Sequence, residues 1–483
     1  MPSYAETLFT AALQAHEAGD LAGGARILHF VIGTGWRDAE ALYFLGFLRL
    51  RLDDPATALL LLLSSAAIKP DDARMLSHMG ETLRRLGNEE GAILCFRAAL
   101  DVQPGFVSAH ANLAASLHAL DRSEEALELL RQAEALAPDN ANIVCGIGGA
   151  LHALGQHEEA VAHFRRAQVL QPGHLQAQYF ESLALLARGD FLAAWDKHEA
   201  RLQLAMGANR PRGFAQPIWS GDQDIAGKTI LLHAEQGFGD AIQFVRYAPL
   251  VAAKGATVLL AVHPRMASLC SGVPGVARVL THGETLPAFD LHCPLLSLPR
   301  AFRTELATIP AGVPYLHPDP ELCKLWRHRL GRRRRRRVGI AWSGSHTNPN
   351  DRVRSVPLAR LVPLLSRRDT DFHVLQPDVR AADRPILAEL KRVRDHAATL
   401  GDFANTAALI AQMDLVIGVD TAMIHLAGAL GVPTWLMLPF TADWRWLIGR
   451  EDSPWYPTVR LFRQPARGDW TSVIDAVVRH LDT

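Results

Sequence analysis

Cysteine is scarce in this chain. Five cysteines in 483 residues (Cys95, Cys145, Cys270, Cys293, Cys323) are odd in number, scattered and free of C-x-x-C spacing. That excludes a disulfide framework and a thiolate zinc site, and it fits reduced thiols in a cytosolic protein. Surplus charge of either sign is also missing, since 50 Lys+Arg balance 50 Asp+Glu. A general nucleic-acid binder needs excess cation for the phosphate backbone, so that class is set aside. Long apolar runs are lacking too. The longest, Ala58 to Leu63, falls far short of the roughly 18 residues that a membrane-spanning helix requires. The N-terminal MPSYAETLFTAALQAHEAGD has Glu6 where a signal peptide wants cations, and it reads as an amphipathic helix. With 49% hydrophobic and 21% charged residues, the composition predicts a cytoplasmic protein with ordinary cores, divided into domains of about 100–200 residues each.

What is present is periodic. Prolines 70, 104, 138 and 172 stand 34 residues apart. Other positions keep phase with them: Ala92, Ala126 and Ala160, with Ala58 before them; Phe96, Leu130 and Phe164; Ala99, Ala133 and Ala167. Gly80, Ala114 and Gly148 share a place in the first helix of each unit, and Gly87, Asp121 and Gly155 mark the turn. Small residues let two antiparallel helices approach, a large one fills the gap behind them, and proline closes the second helix. This period and alternation resemble the tetratricopeptide repeat. Residues 5–38 and 175–204 are degenerate versions, as terminal repeats are, with Gly19 and Gly189 holding the turn. The expected array spans residues 1–204 and offers a groove to a protein. A spacer or dimerisation element is the plainer alternative, and a homo-oligomer is left open.

Residues 205–227, rich in Gly, Pro and polar side chains, read as a connector. Beyond it, short apolar runs alternate with helical stretches. TILLH (229–233), TVLLAV (257–262), VARVL (276–280) and FDLHCPL (289–295) are strand candidates of a first α/β half, residues 228–330. VGIAWSG (338–344), FHVLQ (372–376), DLVIGV (414–419) and PTWLML (433–438) belong to a second, residues 338–483. Helices are expected at about 358–366, 383–394, 404–412 and 421–430, giving parallel sheets. Two such halves place a cleft at the carboxyl ends of their strands. The run Arg332 to Arg337 reads as a solvated linker between them.

Three loops carry chemistry. Glu235-Gln236-Gly237-Phe238-Gly239-Asp240 follows the first strand. It lacks the third glycine of a dinucleotide fingerprint, Ile242 standing there instead, and TVLLAV ends without the acidic residue that would hold a ribose. Gly221 to Gly227-Lys228-Thr229 has five residues between its glycines, and it precedes its strand, so it is no P-loop. Asp240 opens a helix, either as a plain N-cap or as a group facing the cleft. Gly418 to His425 is a strand-end turn entering a helix, with Thr421 and His425 one turn apart and Asp420 before them. The third loop, Trp342-Ser343-Gly344-Ser345-His346, runs on through Arg352 and Arg354; arginine can grip two phosphate oxygens at once.

AEQGFGDAIQFVRYAPLVAAKGA, VGIAWSGSHTNPNDRVRSVPL, VIGVDTAMIHLAGALGVPTWLMLPF and DWRWLIGREDSPWYPTVRLFRQ resemble bacterial glycosyltransferases of the heptosyltransferase-like group. A tetratricopeptide array fused to such a transferase resembles protein O-glycosyltransferases, including O-GlcNAc transferase and the bacterial enzymes that modify flagellin. The resemblance implies a helical solenoid followed by a GT-B fold, two Rossmann-like halves facing a cleft. It implies a nucleotide-sugar donor held mainly by the second half, and Asp240 as the base. The donor site would comprise Ser343, Gly344, Arg352, Arg354, Asp420, Thr421 and His425, with Gln236, Gly237 and Gly239 shaping the first loop. Heptosyltransferases usually carry a lysine in the second-half phosphate loop; arginines stand here, which weakens the case for a heptose donor. Transfer is expected to be inverting and without metal or cofactor, no Asp-x-Asp motif lying in the cleft loops. The acceptor would be a Ser or Thr hydroxyl of a protein docked by the repeats, flagellin being the suggestion of the layout. Transfer to lipopolysaccharide or another glycan is the alternative, and a catalytically silent scaffold is the third reading. The tryptophans of Asp443 to Trp446 are expected to pack and not to stack on sugar.

Overall fold

The computed structural model describes residues 3–204, 213–281, 283–346, 348 and 350–482. The first eight residues of the expected connector, 205–212, lie outside the described residues. Two compact units emerge, Met1–His174 and Leu175–Thr483.

The first unit consists of helical hairpins: Tyr4–Glu17 with Leu21–Gly33, Ala39–Arg51 with Pro55–Ile68, Ala73–Arg85 with Glu89–Val102, Val107–Ala119 with Ser123–Leu136, and Ala141–Ala153 with His157–Leu170. Each is a tetratricopeptide-type pair, and the periodic residues do what their sizes predict. Gly19, Asp53, Gly87, Asp121 and Gly155, every 34 residues, all adopt positive φ (61° to 84°) and reverse the chain between the two helices. Asp20, Asp54 and Asn88 then cap the second helix through their side chains. Ala58, Ala92, Ala126 and Ala160 are fully buried, as are Phe96 and Phe164. A Cβ at Gly80 would lie 2.7 Å from the Phe96 ring, and one at Gly148 2.7 Å from the Phe164 ring. The unit that has Ala114 at the glycine place has Leu130 at the phenylalanine place. Volume is therefore conserved across the helix pair.

The second unit opens with one more hairpin, Leu175–Arg188 and Phe191–His198, followed by a 3₁₀ turn, Glu199–Leu202. It keeps the repeat form, with Gly189 again at positive φ (87°), yet it packs with the α/β halves. Two parallel sheets follow. The first contains β1 (Thr229–His233), β2 (Thr257–Val262), β3 (Val276–Thr281) and β4 (Leu291–Pro294), ordered β3-β2-β1-β4. The second contains β5 (Arg336–Ala341), β6 (Thr370–Val374), β7 (Val393–Arg394), β8 (Leu415–Val419), β9 (Thr434–Leu438) and β10 (Val459–Arg463), ordered β10-β9-β8-β5-β6-β7. That is the doubly wound order, with the switch point between β5 and β8. Buried Val338, Ile340, Phe372, Val374, Leu415 and Ile417 form its core.

Two expectations are corrected. The helix foreseen at 383–394 ends at Glu389, and its tail becomes β7. The six-arginine run is no free linker: Arg336 and Arg337 begin β5, buried Arg337 donates to the Gly331 carbonyl at 2.7 Å, and Arg333 pairs with Asp414 at 2.5 Å. No described helix is long and apolar enough to cross a membrane.

Candidate active site

The loop after β1 turns into a short helix, Phe238–Phe244. Gly239 sits in its first turn, and a Cβ there would fall 2.8 Å from Cδ2 of the His425 ring. Only glycine admits this contact between the two α/β halves. The loop of the first half is thereby laid against the start of the second-half helix Ala422–Ala429. The residue sets suspected at 236–240 and 420–425 thus meet.

Gly237, not Asp240, is the N-cap of this helix; Asp240 is its third residue, and its Oδ2 reaches back to accept the Gly237 N–H at 2.8 Å. Its Oδ1 accepts from Arg445 Nη2 at 2.5 Å. Arg445 is buried, lies 4.3 Å over the Trp444 ring, and also donates to Gln243 and Asp443. The aspartate therefore closes the first turn from within the helix and is held in one orientation. Gln236 is half-buried and Gly237 exposed on the same loop.

Across the seam, His425 Nδ1 meets the Tyr456 hydroxyl at 2.9 Å, and its Nε2 lies 3.6 Å from Asp420 Oδ1. Burial would raise the Asp420 pKa, but the adjoining His425 and the Arg354 charge outweigh it and hold the carboxyl below the usual aspartate range. Trp446 packs on His425 at 5.3 Å between centroids. Trp444 and Trp446 are both buried, packing residues as expected.

Thr421 is the N-cap of Ala422–Ala429 but makes no capping bond, and its Oγ1 is buried without a partner among the described residues. Arg354 donates through Nη1 to the Asp420 carbonyl at 2.9 Å, while its buried Nε is unpartnered. Gly344 leaves room for that guanidinium, since a Cβ there would meet Arg354 Nη2. The start of this helix, the Thr421 hydroxyl and the Arg354 Nε–H, the last two without acceptors among the described residues, are donors of the kind an anion takes.

Ser343 and Arg352 are placed differently. Ser343 is buried, and its hydroxyl accepts from Gln376 Nε2 at 2.9 Å while Gln376 Oε1 accepts the backbone N–H groups of Trp342 and Ser343. Ser343 therefore shapes the loop from beneath. Arg352 is exposed on the short helix Asp351–Arg354. Asp351, Ser355 and Arg380 brace that helix: Ser355 Oγ donates to Asp351 at 2.7 Å and accepts the Gly344 N–H at 3.1 Å. Two surface cavities, about 350 Å³ beside Arg460–Arg463 and about 430 Å³ between repeat helices near Leu113, include none of these residues.

Sequence reasoning overlooked Arg445, Tyr456 and the role of Glu235. An arginine between two tryptophans in DWRW was the available signal, because a guanidinium in an aromatic run must find a buried acceptor. Glu235 is buried and pairs with Arg201 at 2.8 Å. Burial raises its pKa, and Glu199 and Asp240 push the same way against Arg201.

Residues 50–185 match the tetratricopeptide repeat family, and residues 381–435, which carry β8, Asp420, Thr421 and His425, match glycosyltransferase family 9 (heptosyltransferase). The chain thus joins tetratricopeptide repeats to a heptosyltransferase-family segment. Protein FlbA of Caulobacter vibrioides is 29% identical over 331 residues, covering 63% of this chain and 54% of FlbA. The chain spans about half the length of that curated relative. Among solved structures, a thermophilic TPR protein of Thermus thermophilus aligns with 38% of this chain and 99% of its own at 22% identity and TM-score 0.33. MamA of Desulfovibrio magneticus RS-1 covers 34% of this chain and 94% of its own, at 23% identity and TM-score 0.31.

Proposed function

We propose that the second unit transfers a sugar from a nucleotide-sugar donor to a Ser or Thr hydroxyl of a protein acceptor recruited by the repeats. The observation that carries this reading is the seam itself. The carboxylate that Arg445 holds stands next to Gly239, whose close approach to His425 lays the first-half helix against a second-half helix start. There Thr421 Oγ1 and Arg354 Nε lack partners among the described residues. The donor diphosphate would lie at the N–H groups of Ala422–Ala429, gripped by Thr421 and Arg354, with Arg352 at its rim. Asp420, tied to His425, would accept a sugar or ribose hydroxyl. Asp240 would take the acceptor proton as the hydroxyl attacks the anomeric carbon from the face opposite the departing nucleotide, inverting that centre. Arg445 fixes the direction of its lone pairs, and a carboxylate holding two donors retains acceptor capacity for a third. Arginine and backbone dipoles supply the charge stabilisation that the leaving diphosphate needs, so no metal or cofactor is invoked.

Asp240→Asn keeps a cap oxygen and is expected to abolish transfer while the donor Kd stays near wild type; full activity would refute the base assignment. Arg354→Ala is expected to weaken donor binding by about 10- to 100-fold, the worth of a charged hydrogen bond, as read by titration calorimetry. Nucleotide release from a panel of UDP-, GDP-, ADP- and CMP-sugars would identify the donor. The heptosyltransferase match favours one second reading, transfer to a glycan, in which turnover would be retained on a soluble glycan and absent on any protein. Flagellin is the protein acceptor to try first. A silent scaffold would neither bind nor turn over any of these donors.

A further inference from the structure

The hairpin that opens the second unit touches both halves of the cleft. Towards the first half, Trp195 Nε1 donates to the Thr304 carbonyl at 2.8 Å, Asp196 pairs with Arg300 at 2.6 Å, and Ser297 Oγ donates to Glu199 at 2.9 Å. Towards the second, Phe191 lies 6.4 Å from Trp444 and 5.9 Å from Trp455, Trp195 lies 5.8 Å from Trp444, and His198 lies 6.2 Å from it. All these rings are buried.

Two charged contacts lead from this hairpin to the site loop. Arg201, 1% exposed at its side chain, donates through Nη2 to Glu235 Oε1 at 2.8 Å and through Nη1 to Glu199 on its own hairpin at 2.6 Å, and Glu235 lies on the loop that leads into the helix bearing Asp240. Trp444, braced by the hairpin, is the ring over which Arg445 lies as it holds Asp240. The other Glu235 oxygen is buried without a partner among the described residues. A buried ion pair with an orphaned oxygen is a poor way to glue elements together, because apolar groups of the same volume do so at less desolvation cost.

We propose that the hairpin Leu175–Leu202, although built like a repeat, is a positioning part of the transfer cleft, with Arg201 orienting the 235–240 loop through Glu235 and the Phe191–Trp195–His198 face bracing Trp444 beneath Arg445. This rests on the reading of Asp240 as proton acceptor. Arg201 is a positioning residue, since it acts through Glu235.

The full-length chain is compared with Arg201→Met, Arg201→Lys and the double variant Arg201→Met/Glu235→Gln. Three quantities are followed: the thermal midpoint, amide hydrogen exchange over 234–244 against 414–430, and transfer kinetics. Arg201→Met is expected to speed exchange over 234–244 about tenfold or more and leave 414–430 alone. It is expected to lower kcat by about 10- to 100-fold, with the donor KM within about twofold, as for a catalytic group displaced by an ångström. Arg201→Lys should lie between. The double variant removes the uncompensated charge at Glu235 while Glu199 keeps its Ser297 donor, so its midpoint should recover in part while loop protection and kcat do not. Recovery of all three would reduce Arg201 to charge balance and overturn the proposal, as would unchanged loop protection in Arg201→Met. If the wild type turns over no donor, the transferase reading falls, and the exchange measurement still decides the role of the hairpin.

Discussion

The two units use the same steric device for different ends. In the repeats, Gly80 and Gly148 let a phenylalanine sixteen residues later fill the space between helices. In the α/β unit, Gly239 lets a histidine 186 residues later touch the site loop. The first contact is local, recurs with the period, and sets a shape. The second is unique and joins two halves across a seam. Likewise the ion pairs of the repeats are largely exposed, such as Arg122 with Glu125, whereas Arg445 and Asp240, 205 residues apart, meet where burial makes direction matter. Repetition yields a surface; a few long-range contacts yield a site.

The sharpest way to break this contrast is to cut the chain. A chain beginning at Leu175 is expected to fold its α/β unit and bind donor nucleotide, while one beginning after Leu204 is expected to do neither. The second cut strips Phe191 and Trp195 from Trp444 and Arg201 from Glu235, and uncovering large apolar side chains costs about 1.5–3 kcal/mol each, against a total stability of about 5–15 kcal/mol. Near-ultraviolet circular dichroism and nucleotide titration on both would settle it. Equal behaviour would return the hairpin to the repeat array.

The matched glycines give the next effect in size. Gly239→Ala is expected to lower transfer about 100-fold with a small change in thermal midpoint. Gly80→Ala should leave transfer to a free acceptor unchanged and destabilise the first unit by about 1–3 kcal/mol through overpacking. Adding Phe96→Leu to Gly80→Ala copies the Ala114/Leu130 pairing and should restore most of that loss, as read by denaturant unfolding.

Acid is the mildest test and treats both units alike. Burial, and then neighbouring His157 and His118, pull the His152 pKa down to about 3. Burial, then His396 and nearby arginines, do the same to His373, also to about 3, and His396 falls to about 4. These rings stay neutral in the fold but protonate in the unfolded chain below about pH 6.5. Stability is therefore fully present above that value and lost as pH falls towards 4. Midpoints of both units should drop over this window by about 2–4 °C per kcal/mol lost. His373→Phe should flatten the drop for the second unit only.

Much of the fold was legible because apolar runs and period 34 are local signals. TILLH and TVLLAV became β1 and β2 residue for residue. β7 and β10 were missed: both lie at sheet edges, one is only two residues long, and the other, VRLFR, alternates charge with apolar side chains instead of forming a buried run. At the candidate site, the placement of Gly239, Asp240, Asp420, Thr421 and His425 at two helix starts was legible because helix starts have recognisable chemistry. Arg445, Glu235 and Arg201 were not, since a charged side chain in sequence looks solvated until its burial is known.

The amino-acid sequence by itself determined the periodic shape of the repeats, the parallel strands and the residue types at each loop, because these depend on side-chain size and spacing over a few turns. The tertiary structure alone decided that the last repeat-like hairpin serves the α/β unit, and that Asp240 answers to an arginine far along the chain. Pairing of buried charges is set by which groups lose water together, and that is a property of the packed molecule.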